Sequence, residues 1–464
     1  VGDYYATQST YENIDLSIKK MDFAPVRSYE HTKAYEASVC YVADHLLFSE
    51  TTRWATFEEY LPEMNLSSGS GFPFSSTRNA RTKRDVLSNY NDEFMDRVAD
   101  FPTSTDPYFW KVSPKREWKL KSDLDKGKLR TFIQSPFEMI LWGRSLYHTQ
   151  NNSLKNHWWS SYGFNPYYGG TDTMARELLV NGIILSMDVG GWDRRLPNLI
   201  DVYSRLRNPH IQKKWRLAAE RIAQNLLKSA LILPTGEVIL KCIGNNSGQV
   251  NTTTDNILAH CLIQAYNLFL LFGDWDIVEK CVLKIFGDDI LMSIPFIPEG
   301  VDIESHFRST YREFGLELDP FLVSNDLHDH TFLGFRFTLI DGRWVPEYNK
   351  ERLVTSFLYS IEKRENIDAS LSRMWSLCLM AQVVPTESSV LMQESLDYIL
   401  NNLELGDITN VTRAMQEVGA PTPSMASMFA LGHESGWLVE QKFLKDELEK
   451  AIQLQVSAQA EISK

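Results

Sequence analysis

An α+β fold is predicted by three features of the sequence. Short apolar runs of strand length cluster in the middle of the chain: Ile183-Ile184-Leu185-Ser186-Met187, Leu231-Ile232-Leu233 with Val238-Ile239-Leu240, and Val282-Leu283-Lys284-Ile285-Phe286 with Ile290-Leu291-Met292-Ser293-Ile294. Between them, Ile257, Leu258, Cys261, Leu262, Ala265, Tyr266 and Phe269 recur at three and four, the period of a packed helix. Past about residue 345, Leu353, Val354, Phe357, Leu358 and Ile361 mark an amphipathic helix. Strands and helices are thus segregated along the chain rather than alternating.

In chain order, residues 1–180 are expected to be basic and loop-rich, punctuated by Gly, Ser and Pro. Within them, Ser67-Ser68-Gly69-Ser70-Gly71-Phe72-Pro73-Phe74 cannot sit inside a helix. The run at 183–187 reads as a buried strand that delivers Asp188 to its end. Pro234-Thr235-Gly236 turns a hairpin between the next two runs. The long helix runs from Thr254 to Gly273, whose backbone freedom suits a helix stop. Gly287-Asp288-Asp289 then forms the tip of a second hairpin, and helical stretches continue to the terminus. No repeat or low-complexity segment interrupts the pattern.

At 464 residues and 53.4 kDa the chain can bury a large interior, and about two to four subdomains are expected. Its 43% hydrophobic and 12% aromatic content is that of a globular protein. No run approaches the roughly 20 apolar residues of a membrane span. Val1-Gly2-Asp3-Tyr4-Tyr5 has neither the basic start nor the apolar stretch of a signal peptide. Cys40, Cys242, Cys261, Cys281 and Cys378 are odd in number, widely spaced and free of Cys-x-x-Cys pairs. They favour a reducing compartment, with neither a disulfide framework nor zinc.

A formal net charge of −13 argues, as a sum, against a nucleic-acid partner. Its distribution argues the other way. Residues 111–130 hold Lys111, Lys115, Arg116, Lys119, Lys121, Lys126, Lys128 and Arg130 against three acids, with Trp118 and Gly127 among them, and Arg78, Arg81, Lys83 and Arg84 form a second cluster. A basic channel inside an acidic shell would guide RNA and nucleotides inward; a solvated charged face is the plainer alternative.

The chemistry lies in three short segments. Asp188 and Asp193 fall where a strand gives way to a turn, so the second carboxylate can point toward an incoming ribose; for a lone pair, capping or a surface role is the better explanation. Gly287-Asp288-Asp289 puts adjacent acids between apolar strands, which is costly unless a cation compensates, although Asp and Gly also favour turns. Ser247-Gly248 followed by Thr252 and Asn256 offers hydroxyl and amide groups that can read a 2′-hydroxyl, or simple N-capping by Thr252 or Thr254. Taken jointly, they suit metal-assisted nucleotidyl transfer, in which two divalent ions roughly 3.5–4 Å apart are held by aspartates from different strands. A template-directed polymerase is the first expectation.

At these residues the sequence resembles the viral RNA-dependent RNA polymerases of the picornavirus-like supergroup. Ser70-Gly71-Phe72-Pro73-Phe74 with Lys83-Arg84-Asp85 is similar to their template-entry motif, Lys115-Arg116-Glu117-Trp118-Lys119 with Lys128-Leu129-Arg130 to the fingertip motif that grips triphosphate, and Phe332-Leu333-Gly334-Phe335-Arg336 to the hairpin supporting the primer end. Gly244-Asn245-Asn246-Ser247-Gly248-Gln249, with Thr252-Thr253 and Asp255-Asn256, most resembles the potyvirus and astrovirus branch.

The resemblance implies a closed right hand with an antiparallel palm sheet flanked by helices. Fingers and fingertips would span 1–180 with 205–243 returning to them, the palm 181–204 and 244–340, and a helical thumb 341–464. It implies Asp188, Asp288 and Asp289 as catalytic metal ligands for two Mg2+ ions, with Mn2+ as a substitute. Asp193, Ser247, Thr252 and Asn256 would contact the ribose side of the substrate, and Lys115, Lys128 and Arg130 its phosphates. Ser70, Gly71, Pro73 and Arg336 would contact template and primer. Implied partners are RNA template, nascent RNA, NTPs, a protein primer and other viral replication proteins, in replication complexes of the host cytoplasm or in virions.

A reverse transcriptase shares the paired aspartates but usually carries an aromatic-x-Asp-Asp turn and a bulky steric gate. A catalytically silent RNA-binding scaffold is opposed by the intact acids. One departure from the family stands out. Its lysine after Gly-Leu-x-x-x-Pro is replaced here, after Gly315-Leu316-Glu317-Leu318-Asp319-Pro320, by Val323. His328 and His330 in the following loop are the alternative proton donors, against a plain solvated-loop role. His433 and Trp437 offer either an initiation platform or ordinary packing.

Overall fold

A computed structural model describes residues 4–7, 9–19, 26–126, 129–360 and 367–402. It is a mixed α+β structure built around a four-stranded antiparallel sheet, in the order Leu318–Ser324, Ile183–Val189, Asp289–Ile294, Val282–Phe286. Successive residues of a strand face opposite sides, and here both sides are covered. Leu185, Met187 and Met292 pack against the helices Thr252–Phe272 and Ile303–Glu313, whereas Ile184 and Leu291 join Met174 and Leu178 of the helix Gly170–Leu178. Two buried faces explain why these strands read as unbroken apolar runs.

The long helix starts at Thr252, two residues earlier than its period suggests, and stops at Gly273 in the left-handed region, φ 66°. Both expected hairpins form: Ser229–Ile232 pairs with Val238–Lys241, and Val282–Phe286 with Asp289–Ile294. The first hairpin belongs to a second sheet, ordered Thr131–Gln134, Phe109–Pro114, Ser229–Ile232, Val238–Lys241. There Phe109–Pro114 and Ser229–Ile232 run parallel, so residues 229–241 return to the N-terminal part of the chain.

Two expectations need correction. Residues 1–180 are not loop-rich: they include the helices Lys33–His45, Asn91–Asp100 and Phe137–Ser153. The last is buried on nearly every side, from Phe137 to Gln150, and so carries no one-sided apolar stripe. The glycines and prolines mark the ends of short helices; Phe74, for example, opens Phe74–Thr77. The helical end also begins later than 341. Arg343–Tyr348 is a strand paired with Phe335–Ile340, and the amphipathic helix runs Lys350–Leu358, its N-terminus capped by the Asn349 side chain, which accepts from Arg352 N at 2.9 Å. A separate apolar core there joins Leu353, Phe357, Leu371, Trp375, Leu379 and Leu396. Ile361, His433 and Trp437 lie outside the described residues. All five cysteines are free, and among the described residues no helix is long and apolar enough to cross a membrane.

Candidate active site

Strand pairing brings the acids together. Asp188 stands near the end of Ile183–Val189, and its neighbour Asp289–Ile294 is entered through the turn that carries Asp288. Asp193 follows on the short helix Trp192–Arg195. Asp188, Asp193 and Asp288 line one cavity of about 680 Å³. Asp288 reaches water at the mouth, yet its carboxyl pKa is raised, first by the atoms enclosing it and then by repulsion from Asp193 and Asp188. Asp289 faces away from the cavity. Its Oδ2 accepts from Leu333 N at 2.6 Å, and burial still pushes it up to about 6 against that bond, with Asp288 and Asp188 adding to the rise.

Hard oxygen donors that repel one another suit a divalent cation. Among the described residues no three potential ligand side chains converge into a ready-made cage. The donor set nevertheless fits a divalent cation held by one or two carboxylates and completed by substrate phosphates and water.

Opposite the acids lies the loop before the long helix. Gly244 is in the left-handed region, φ 77°, and a Cβ there would stand 2.4 Å from Asp193 O. Gly248 passes under the strand Thr131–Gln134, where a Cβ would meet Ile133 O at 2.3 Å, and Ser247 Oγ accepts from Ile133 N at 3.2 Å. These close approaches tie the loop to the short helix Trp192–Arg195 and to the second sheet. Asn256 is 6% exposed and donates from Nδ2 to Asp193 Oδ1 at 2.8 Å. Thr252 lines the cavity, but its hydroxyl is spent on the loop backbone, donating to Asn246 O and Gln249 O at 2.9 Å each.

The third wall is basic. Lys115 and Arg130 line the cavity, and both are held by Glu117, at 2.9 and 3.2 Å. Burial opposes the Glu117 charge, but Lys115, Arg130 and Lys119 outweigh it and its pKa is lowered. Lys128 lies outside the described residues.

Other expected residues sit elsewhere. Ser70 is fully buried and donates to Ala80 O at 2.5 Å, while Gly71 passes close to Ser135 O; with Pro73 they shape the neighbouring loop rather than the cavity. Arg336 is exposed on the three-stranded sheet, opposite Glu347.

The loop histidines do not reach the cavity. His330 is fully buried with Nδ1 at 2.8 Å from Ser186 Oγ, burial lowers its pKa, and His328 Nδ1 lies 2.9 Å from Phe337 O. Val323 pairs with Leu185 in the central sheet.

Sequence reasoning missed Lys241. This residue lines the cavity at 5% exposure, and burial pushes its ammonium down to about 7, opposed by the charge of Asp193. Nothing in the apolar pattern signals it, because its strand turns Val238 and Leu240 outward, at 55% and 66% exposure.

With this geometry in hand, known proteins supply the family. Residues 17–394 match the model of the viral RNA-dependent RNA polymerases. The chain belongs to that family. Its relatives include genome polyproteins of Zucchini yellow mosaic virus (strain Singapore), 27% identical over 57% of this chain, and Peanut mottle virus (strain M), 25% identical over 73%. That of Plum pox potyvirus (strain El amar) is 25% identical over 71%. The expected kinship with potyviruses is thereby met. The matched segments span 9%, 11% and 22% of those polyproteins. Within the family match fall the acids, the loop at 244–256 and the basic wall.

Proposed function

We propose that this chain catalyses template-directed RNA synthesis, adding ribonucleotides to an RNA 3′-hydroxyl in the replication of a viral RNA genome. One observation carries the reading: Asp188 and Asp288, the Asp193–Asn256 pair and the Lys115–Arg130 wall all face the same cavity. An incoming triphosphate competes with Glu117 for Lys115 and Arg130, exchanging one charge-assisted contact for several. The ribose lies against Asp193, Asn256 and Ser247, and Thr252 acts on it only through the loop. Asp188 and Asp288 hold the divalent cations, Mg2+ or Mn2+, with Asp289 anchoring the turn behind them. Held there, two such ions would supply activation of the 3′-hydroxyl and neutralisation of the leaving pyrophosphate. The 3′-oxygen bonds to the α-phosphorus as the α–β phosphoanhydride bond breaks.

In this reading the molecule is a closed right hand. Fingers comprise 1–180 and 205–243, the palm 181–204 and 244–340, and the thumb 341–464. The sheet shared by Phe109–Pro114 and Ser229–Ile232 and the separate C-terminal core support that division. Template and nascent RNA, NTPs, a protein primer and other viral replication proteins are the partners, in cytoplasmic replication complexes or virions. Extension of a labelled RNA primer on an RNA template with Mg2+ tests the proposal. Ribonucleotide incorporation supports it, a deoxyribonucleotide preference points to a reverse transcriptase, and no extension leaves a binding scaffold.

A further inference from the structure

We infer that Lys241 and Asn245 form a clamp that sets sugar selectivity by fixing the amide of Asn256 against Asp193. The inference rests on the polymerase reading and adds positioning residues to it.

The clamp begins with an unusual strand register. Val238–Lys241 pairs with Ser229–Ile232 so that Lys241 lies opposite Ser229, pointing inward, while apolar Val238 and Leu240 face water. Burying an ammonium while exposing two aliphatic side chains is costly for folding alone. The buried ammonium has a specific task. Its Nζ donates to Asn245 O and to Asn246 Oδ1, each at 2.9 Å, so it gathers the two residues that precede Ser247.

Asn245 is 1% exposed and saturated. Its N donates to Asp193 O at 2.8 Å, and its Oδ1 accepts from Asn246 N at 2.8 Å and Gln249 Nε2 at 3.1 Å. Its Nδ2 is therefore left to donate to Asn256 Oδ1, 2.9 Å away, with a longer bond to Thr252 O at 3.3 Å. A side-chain amide has two faces, a donor and an acceptor, and either can be presented to a neighbour. With Oδ1 of Asn256 occupied by Asn245, the donor face must turn to Asp193 Oδ1, at 2.8 Å. Without the clamp, the amide can flip and set its oxygen against the carboxylate. The 2′-hydroxyl would then meet a repelled, mobile pair instead of an ordered one. Lys241 and Asn245 act through Asn256 and Asp193.

The test is the ratio of kcat/KM for a ribonucleotide to that for its deoxy analogue, in single-nucleotide extension with Mg2+. Lys241→Met keeps the side-chain length and removes the donors; Asn245→Asp keeps the shape and presents an oxygen to Asn256 Oδ1. Each is expected to lower the ratio by about tenfold, a common size for coupling between residues in contact. Asn256→Ala should lower it as well, and adding Lys241→Met to Asn256→Ala should lower it no further. A merely structural lysine would instead slow both nucleotides alike and leave the ratio unmoved. If Lys241→Met fails to fold, Asn245→Asp carries the same comparison. Ratios within about twofold of wild type, or losses that multiply in the double variant, would overturn the clamp. A wild-type chain that extends no primer at all would instead sink the polymerase reading beneath it.

Discussion

Asp255 and Asp288 approach Asn256 from two sides, one as its predecessor in the helix and the other in the turn where a Cβ on Gly287 would lie 4.0 Å from Asn256 Cβ. Asp255 is fully buried, ion-paired with Arg207 Nε at 2.7 Å, and accepts from the Tyr203 hydroxyl at 2.7 Å and Gln249 Nε2 at 2.6 Å; burial raises its pKa against these partners. Arg207 is itself 0% exposed and also donates to Gln150 Oε1 and Thr254 Oγ1. Burial raises the pKa of Asp288 too, but its charged neighbours have the reverse sign: Asp193 and Asp188 raise it further and Arg130 only partly offsets them. A charge-paired network of this kind holds one geometry, because each partner removed leaves a buried charge uncompensated. An unsaturated cluster of like charge awaits a cation. The difference separates the scaffold of the site from its reacting centre.

The largest effect should come from the unsaturated side. Asp288→Asn is expected to cut nucleotide incorporation about a thousandfold or more, since several kcal/mol of transition-state stabilisation depend on the bound cation. Thermal stability should hold or rise, because a mutual repulsion disappears. Single-turnover incorporation and a melting curve of the same preparation check both halves. Activity above a few percent of wild type would remove Asp288 from the metal site.

The ion-paired side should answer through folding. Arg207→Met strands Asp255 without its main counter-charge and is expected to cost about 3–5 kcal/mol. Denaturant unfolding measures it. A loss below about 1 kcal/mol would mean that the network contributes little beyond packing.

This contrast also explains what was legible in the sequence. Asp188, Asp193 and Gly287-Asp288-Asp289 could be found because carboxylates at strand ends are conspicuous, and the helix behind them has a clean three-four period. The ion pair of Arg207 and Asp255 was not, because 47 residues separate its members in sequence and neither stands in a telling pattern. Lys241 was hidden by a strand that buries its cation and exposes its aliphatics. The buried helix Phe137–Ser153 was missed for a related reason: a helix covered on all sides has no stripe. Asp289 shows the limit at the site itself, since its spacing gives no sign that the carboxylate serves Leu333.

The Asp289 carboxyl is pushed up to about 6 in the fold from an ordinary value near 3.9. Its contribution to stability is therefore complete below about pH 4 and lost as pH rises through about 6. At most about 3 kcal/mol is at stake, given 1.36 kcal/mol per pKa unit. Buried His260, pushed down to about 4, works in the opposite sense over an overlapping window, so the readout is a difference. Without divalent cations, wild type should lose stability relative to Asp289→Asn between about pH 4 and 6. Equal pH profiles for the two proteins would show that the turn is not strained by charge.

The smallest effect belongs to the loop after the central sheet. Val323 replaces the lysine usual in this family, and His328 and His330 were the available substitutes for a proton donor to pyrophosphate. The structure engages both in packing. His330 is enclosed against Ser186, the strand neighbour of Met187, and its lowered pKa leaves it neutral at neutral pH. His328 is turned to Phe337 O and the Trp344 ring. Neither side chain lines the cavity, and a group out of reach of the pyrophosphate cannot serve as its acid. His328→Ala and His330→Ala should accordingly keep single-turnover rates within about twofold of wild type, with unchanged pH profiles from about 6 to 9, a range bracketing histidine's ordinary pKa. His330→Ala should cost about 1–2 kcal/mol of stability, because the Ser186 hydroxyl loses its partner. A rate that falls in either variant together with loss of the wild-type pH dependence would mean that the loop closes over the nucleotide during turnover and brings a histidine to the phosphates.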